Sequence, residues 1–491
     1  MKIKSIKYNI FMNFIRVIFG MLFPLIIMPY INRKFEAKLV GEIEYSTTIV
    51  AYFVLLAGLG ISTYGVREIA KIREDLFERS KFLVEMSIIL FFTNIGSYIF
   101  LFFILYLEIF KNINLKILYL ISLNIVFTSF SFEWFYQGIE NQEYITKRSV
   151  MVRLISILLI FLFVKSKEDI YRYIIIVVGS LVFSNIFNII NLKRYIKVDK
   201  DVLKNIKLKK HLKSLFLMFG SSIAVLIYSQ IDILMIGDIV GTYYVGLYNV
   251  SVKILNLAKV VMTIVGTTLL PRLTNFYFSA SNEKYETYLK KILNILILYS
   301  FYAGLFIYIN SSEIIYVFGG NDFKESIITL KIQTIIIPLS GVAYFYGVLV
   351  LYSQKKDKPF LYSVLIAALI NLLLNSILIP KYNQNGAVIA TIIAEAIVIF
   401  IIFILEKKVL ERVKFLNLNI IKIVSVGFLI LIIEKYIQVN CFTDNLSLVN
   451  IILRNISIFS MYTFLLIFIK EEALTENIKL IKLKFRKSKY N

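Results

Sequence analysis

Apolar residues gather into fourteen long runs, and polar residues are largely confined to the short stretches between them. The runs cover residues 10–31, 43–65, 82–107, 116–139, 149–165, 171–192, 215–237, 244–269, 291–310, 326–350, 359–379, 386–405, 416–436 and 448–469. About 20 apolar residues is the length a helix needs to cross a bilayer. A backbone in hydrocarbon must satisfy its own hydrogen bonds, so each run predicts a helix. The pattern predicts an all-α polytopic membrane protein with about 14 transmembrane helices.

Lys and Arg alternate along the connections. Loops on one side hold 38 of them and loops on the other hold 11. Basic loops stay cytoplasmic. With an even number of spans, both N- and C-termini are expected inside. Every outer loop is short, the longest running from about Ser311 to Glu325.

Composition sharpens this picture. The chain has 491 residues, 58% of them hydrophobic, and a mean hydropathy of +0.76. A soluble domain sits nearer half apolar. The net charge of +23 would suggest nucleic acid in a soluble protein. Here it reads as inner-loop charge facing anionic membrane lipids, with no nucleic-acid partner expected. The one cysteine, Cys441, and the one histidine, His211, rule out an internal disulfide and a Cys/His metal cluster. No metal and no cofactor is expected, and no Walker-type loop is present. The basic start, Met1 to Lys7, leads to no small-residue cleavage site, so the first run is expected to be a retained helix.

The most basic stretch, 193–214, divides the chain. Phe19-Gly20 and Val40-Gly41 before it match Phe219-Gly220 and Val245-Gly246 after it, at offsets of 200 and 205 residues. Such an internal repeat is a common transporter plan. The expected organisation is an N-terminal six-helix lobe over 1–192, a linker over 193–214, a second six-helix lobe over 215–405, and two further helices with a basic tail over 406–491.

Polar groups inside spans mark candidate function, because hydrocarbon tolerates them only beside a partner or a wet cavity. Asn249, Lys253, Asn256, Thr263 and Thr267 follow one face of the eighth run, with Val260 as the apolar break. Ser222, Ser229 and Asp232 lie in the seventh, and Asn13, Arg16, Gly20 and Pro24 in the first. Ser and Thr commonly join helices to one another. Arg16 and Lys253 are expected to face a cavity. Asp232 is open between an ion pair with Lys253 and a role in ion coupling. Arg67, Arg148, Arg153 and Arg272 lie near the inner ends of spans, where they either supply plain inner charge or form an entrance that holds a phosphate. Pro271 is expected to close the eighth span.

Several segments resemble a known group. Ser229-Gln-Ile-Asp-Ile-Leu-Met-Ile-Gly237, Val245-Gly-Leu-Tyr-Asn249, Leu269-Leu-Pro-Arg-Leu273, Trp134-Phe-Tyr-Gln-Gly-Ile-Glu140 and Asn385-Gly-Ala-Val-Ile-Ala390 look like the oligosaccharide flippases. These form the polysaccharide-transport branch of the multidrug/oligosaccharidyl-lipid/polysaccharide exporter superfamily. The resemblance covers essentially the whole chain. It implies a V-shaped pair of six-helix lobes around a cationic cavity and alternating access. The implied cargo is a polyprenyl-diphosphate-linked oligosaccharide, moved from the inner to the outer leaflet, with polysaccharide polymerase and glycosyltransferases as possible partners. Arg16, Lys253 and Arg272 fit the cavity cations, with Asn13, Asn249 and Asn256 beside them. A peptidoglycan-precursor flippase and a multidrug antiporter of the same superfamily are the alternatives. An antiporter for cationic drugs would need carboxylates where these faces are mostly neutral or cationic. A membrane polymerase, and enzyme activity in general, is disfavoured because the outer loops are too short to build a catalytic site.

Overall fold

The computed structural model describes residues 4–279, 282–407, 418–441, 448–471 and 475. The basic tail and the connection before the thirteenth run lie largely outside those residues. All fourteen runs are helical where described. Among the described residues, ten helical stretches are long and apolar enough to cross a membrane.

The first two runs form one helical stretch, α1 (Ile6–Gly58). It is broken only at Glu36, whose φ of 62° lies outside the helical region. A single reversed residue replaces the expected loop of about residues 32–42. Helices α2 (Ile61–Ile72) and α3 (Leu76–Tyr106) follow. Asp75 caps α3 by accepting from the Glu78 amide. The fourth run divides into α4 (Leu115–Ser129) and α5 (Glu133–Gly138), where Phe132 takes a φ of 52°. Next come α6 (Gln142–Phe163), α7 (Ile170–Leu192), α8 (Lys200–Lys204) and α9 (Lys209–Ile239). Then α10 (Thr242–Ser279), α11 (Asn282–Ile309) and α12 (Ser311–Phe318) follow. The tenth run is made of α13 (Ser326–Gln333), α14 (Ile336–Tyr344) and a widened π turn over Phe345–Leu351. The last four helices are α15 (Asp357–Tyr382), α16 (Gln384–Leu405), α17 (Leu418–Cys441) and α18 (Leu448–Phe468).

One expectation fails at Pro271. The helix does not end there; α10 continues through it to Ser279. Proline removes one donor, and a helix this long keeps its remaining hydrogen bonds on both sides. The Thr274 hydroxyl donates to the Leu270 carbonyl at 2.9 Å in the turn that follows.

The chain forms two compact units, Met1–Asn249 with Val317–Phe323, and Val250–Tyr316 with the residues from Lys324 on. The first has an aromatic core where α2, α3, α5 and α9 meet. Trp134 meets Phe82 edge to face at 5.9 Å. It also lies so close to Gly65 that a Cβ there would sit 2.5 Å from the indole. The motif around Trp134 is therefore largely a packing motif. Tyr136, fully buried, donates to the Asn188 carbonyl at 2.6 Å.

His211 fixes the start of α9. Its Nε2 is 2.8 Å from Glu85, and its Nδ1 is 2.7 Å from the Tyr64 hydroxyl. Glu85 is fully buried and also accepts from the Lys207 amide. Lys210 lies 3.2 Å from it. The basic stretch is thus tied to α3 by a carboxylate with several partners, the arrangement a buried charge requires.

In the second unit, α15 and α16 form a hairpin so tight that a Cβ on Gly386 would lie 2.2 Å from the Leu378 carbonyl. Tyr285 on α11 hydrogen-bonds Ser353 at 2.7 Å. Arg454 on α18 donates to Asn310 and to Glu313, each at 2.7 Å.

Candidate functional site

In the first unit, the most highly charged group inside apolar helices gathers around Glu133. The break at Phe130–Phe132 ends α4 and starts α5 with Glu133, so the carboxylate leaves the α4 axis. One carboxylate oxygen accepts from Arg16 of α1 at 3.5 Å, and the other accepts from Arg148 of α6. Arg16 also donates to Asn13, one turn back, at 2.8 Å. Arg153 donates to the Arg16 carbonyl at 3.4 Å. Its guanidinium lies against Gly20, where a Cβ would come within 3.1 Å. The Thr146 hydroxyl donates to the Met12 carbonyl at 2.9 Å and fixes α6 against α1.

Two guanidiniums thus share one carboxylate, and a third, that of Arg153, lies beside Arg16. Arg148 is 5% exposed, and its Nε and Nη1 have no hydrogen-bond partner among the described residues. The Arg16 Nε is likewise buried without one. Buried donors without partners are costly, by about 1–3 kcal/mol each and more when charged. Glu133 also borders a cavity of about 450 Å³. Ser129, Ser131, Gln137, Ser222 and Ser229 line that cavity together with apolar side chains. The group thus holds unpaired buried guanidinium donors beside a mostly apolar cavity with a few polar side chains.

The other sequence candidates lie elsewhere. Arg67 is exposed on α2, 3.1 Å from Glu68. Asp232 accepts from the Tyr248 hydroxyl at 2.7 Å. Asn249 is buried. Lys253, half-buried, and Asn256, Thr263 and Thr267, all exposed, follow α10 in the second unit, and Arg272 is exposed beyond them. The hydroxyls of Thr263 and Thr267 donate to carbonyls of their own helix. Helix joining falls to other residues, such as Ser97, which donates to the Phe53 carbonyl at 2.9 Å.

Several carboxylates inside the apolar runs were not singled out from the sequence, Glu133 and Glu395 among them. Glu133 sits in the fourth apolar run and Glu395 in the twelfth. Glu395 is 7% exposed, accepts from Ser340 at 2.8 Å, and lies 3.4 Å from Lys259. A search of the runs for acids as well as bases would have found both.

Among the described residues, ten membrane-length apolar helices mark a multi-pass membrane protein. The family model described as polysaccharide biosynthesis protein matches residues 6–277, and the model described as MatE matches residues 218–377. Two relatives carry the provisional name O-antigen transporter. That of Escherichia coli is 22% identical over 404 residues, 79% of this chain and 94% of the relative. That of Shigella dysenteriae is 24% identical over 402 residues, 80% of this chain and 98% of the relative. A solved structure of the lipid II flippase MurJ in an inward closed conformation superposes with a TM-score of 0.67 at 19% identity, over 95% of this chain and 99% of that one. An inward-facing multidrug resistance transporter of the MATE family gives a TM-score of 0.58 at 14% identity, over 77% and 95%. The chain belongs to the polysaccharide-transport family of the multidrug/oligosaccharidyl-lipid/polysaccharide exporter superfamily.

Proposed function

We propose that the protein is a flippase that moves polyprenyl-diphosphate-linked oligosaccharide repeat units from the inner to the outer leaflet, by alternating access, for surface polysaccharide synthesis. The carrying observation is the pair of Arg16 and Arg148 on a single carboxylate, with Arg153 beside Arg16 and buried guanidinium donors left unpaired. A diphosphate has the charge and the number of oxygens to satisfy such donors, and guanidinium forks match phosphate oxygens. The cavity beside Glu133, mostly apolar, offers serine and glutamine side chains to a sugar, and the lipid tail can remain in the bilayer. In the second unit, Lys253, Asn256 and Arg272 on α10 are further candidate polar contacts for cargo. The names of the two relatives favour a surface oligosaccharide over a peptidoglycan precursor as cargo. No bond is made or broken in this step, so no catalytic residue is assigned. A polymerase and glycosyltransferases acting on the same lipid-linked units are the expected functional partners.

The test is export in cells. Arg16→Ala and Lys253→Ala should each insert and fold yet let lipid-linked repeat units accumulate on the inner leaflet, with surface polysaccharide falling at least tenfold. Normal surface polysaccharide in both variants would refute the assignment of these cations.

A further inference from the structure

We propose that Glu133 is a resident counter-anion which the phosphate groups of the cargo displace. This rests on the flippase reading above and assigns the regulation of that site. Both oxygens of the carboxylate are engaged, one with Arg16 and one with Arg148. These are the two guanidiniums that also carry buried donors without partners. The carboxylate therefore satisfies part of each fork and leaves the remainder open. A diphosphate that fills the open donors brings a second anion against Glu133. Two anions cannot share the same guanidiniums in a poorly hydrated site without strong repulsion.

Backbone geometry permits the exchange. Glu133 is the first residue of α5 and follows Phe132, whose positive φ breaks the helical run. Its side chain is about one-third exposed and borders the cavity, whereas Arg148 is buried. The acid has space to withdraw toward the cavity while Arg148 stays in place. Arg153, third in the group, lies against Gly20 and the Arg16 carbonyl, close enough to meet the incoming anion. Competition of this kind keeps the cations separated from solvent anions before loading. It also returns a counter-charge that helps eject the cargo on the far side.

The experiment uses full-length protein purified in detergent, with geranyl diphosphate as the probe and calorimetry as the readout. Glu133→Gln removes the competing charge. It should bind the probe about tenfold more tightly than wild type, as expected for loss of one nearby like charge, and export in cells should fall because release slows. Glu133→Ala should tighten binding in the same direction and serves if the glutamine variant is not recovered folded. Unchanged or weaker binding in a folded variant, with wild type binding normally, overturns the counter-anion role and leaves the flippase reading standing. Failure of wild type and both variants to bind the probe overturns the diphosphate site itself, and the inference with it.

Discussion

Arg148 and Glu143 show how differently two charged residues a turn and a half apart can behave. Arg148 is buried and holds Glu133. Glu143, at the start of α6 outside the apolar stretch, meets Lys147 at 2.7 Å and Lys4 at 2.9 Å. Hydrogen bonds from Lys147 and then Lys4 hold its carboxyl at about 2, below the usual 4.5. A depressed acid stabilises the folded chain above its ordinary value, and that contribution fades as pH falls from 4.5 toward about 2. The pair is exposed and its effect small. Titration below pH 4.5 should therefore release the N-terminal segment before the core melts, seen as proteolysis near Lys4. Glu143→Gln should show the same release at neutral pH; equal protection of variant and wild type would contradict it.

His211 carries more weight than its solitary place in the sequence suggests. Replacing it by Ala leaves Glu85 buried with the Lys207 amide and Lys210 as its remaining partners. Removing one member of a buried charged group costs about 3–5 kcal/mol, so the upper limit here is about 3 kcal/mol. Thermal unfolding in detergent should show a clear fall for His211→Ala and little change for Lys210→Ala.

At the scale of elements, the repeated Val-Gly pairs mark a helix crossing. A Cβ on Gly41 in α1 would lie 1.7 Å from the Thr242 carbonyl, and one on Gly246 in α10 would lie 1.9 Å from the Ala37 carbonyl. The two backbones touch, as small residues allow in membranes. The repeat visible in the sequence thus has a packing cause at this pair. Gly246→Leu should force the helices apart and lower stability by at least about 1–3 kcal/mol, the ordinary cost of overpacking. Unaltered thermal unfolding of that variant would contradict the crossing. The same scale explains the boundaries that pattern reading missed. Apolar periodicity cannot register a single reversed residue such as Glu36, nor the Phe132 turn that releases Glu133 from α4.

For the whole molecule, the topology expected from the sequence puts 38 basic residues in loops on one side and 11 on the other. Each basic group near an anionic surface contributes about 1 kcal/mol of attraction, which salt screens. Thermal stability in vesicles should therefore rise with anionic lipid content, and the rise should shrink at high salt. Equal stability in neutral and anionic vesicles would sink the lipid reading of the net charge.

The sequence by itself determined the class and the family. Bilayer length, loop charge and short ordered motifs are local properties, written residue by residue in the order of the chain. It also marked Arg16, Arg148 and Arg153 as candidates, yet placed them at two separate spans with separate roles. Only the tertiary structure decided that Arg16 and Arg148 share Glu133, a residue hidden in an apolar run 117 positions from Arg16, and that Arg153 lies against Arg16. It likewise decided that the single histidine anchors a buried acid. The physical reason is the same in both cases. A charge inside a membrane protein survives through its partner, and partners are set by how helices pack, which no local pattern records.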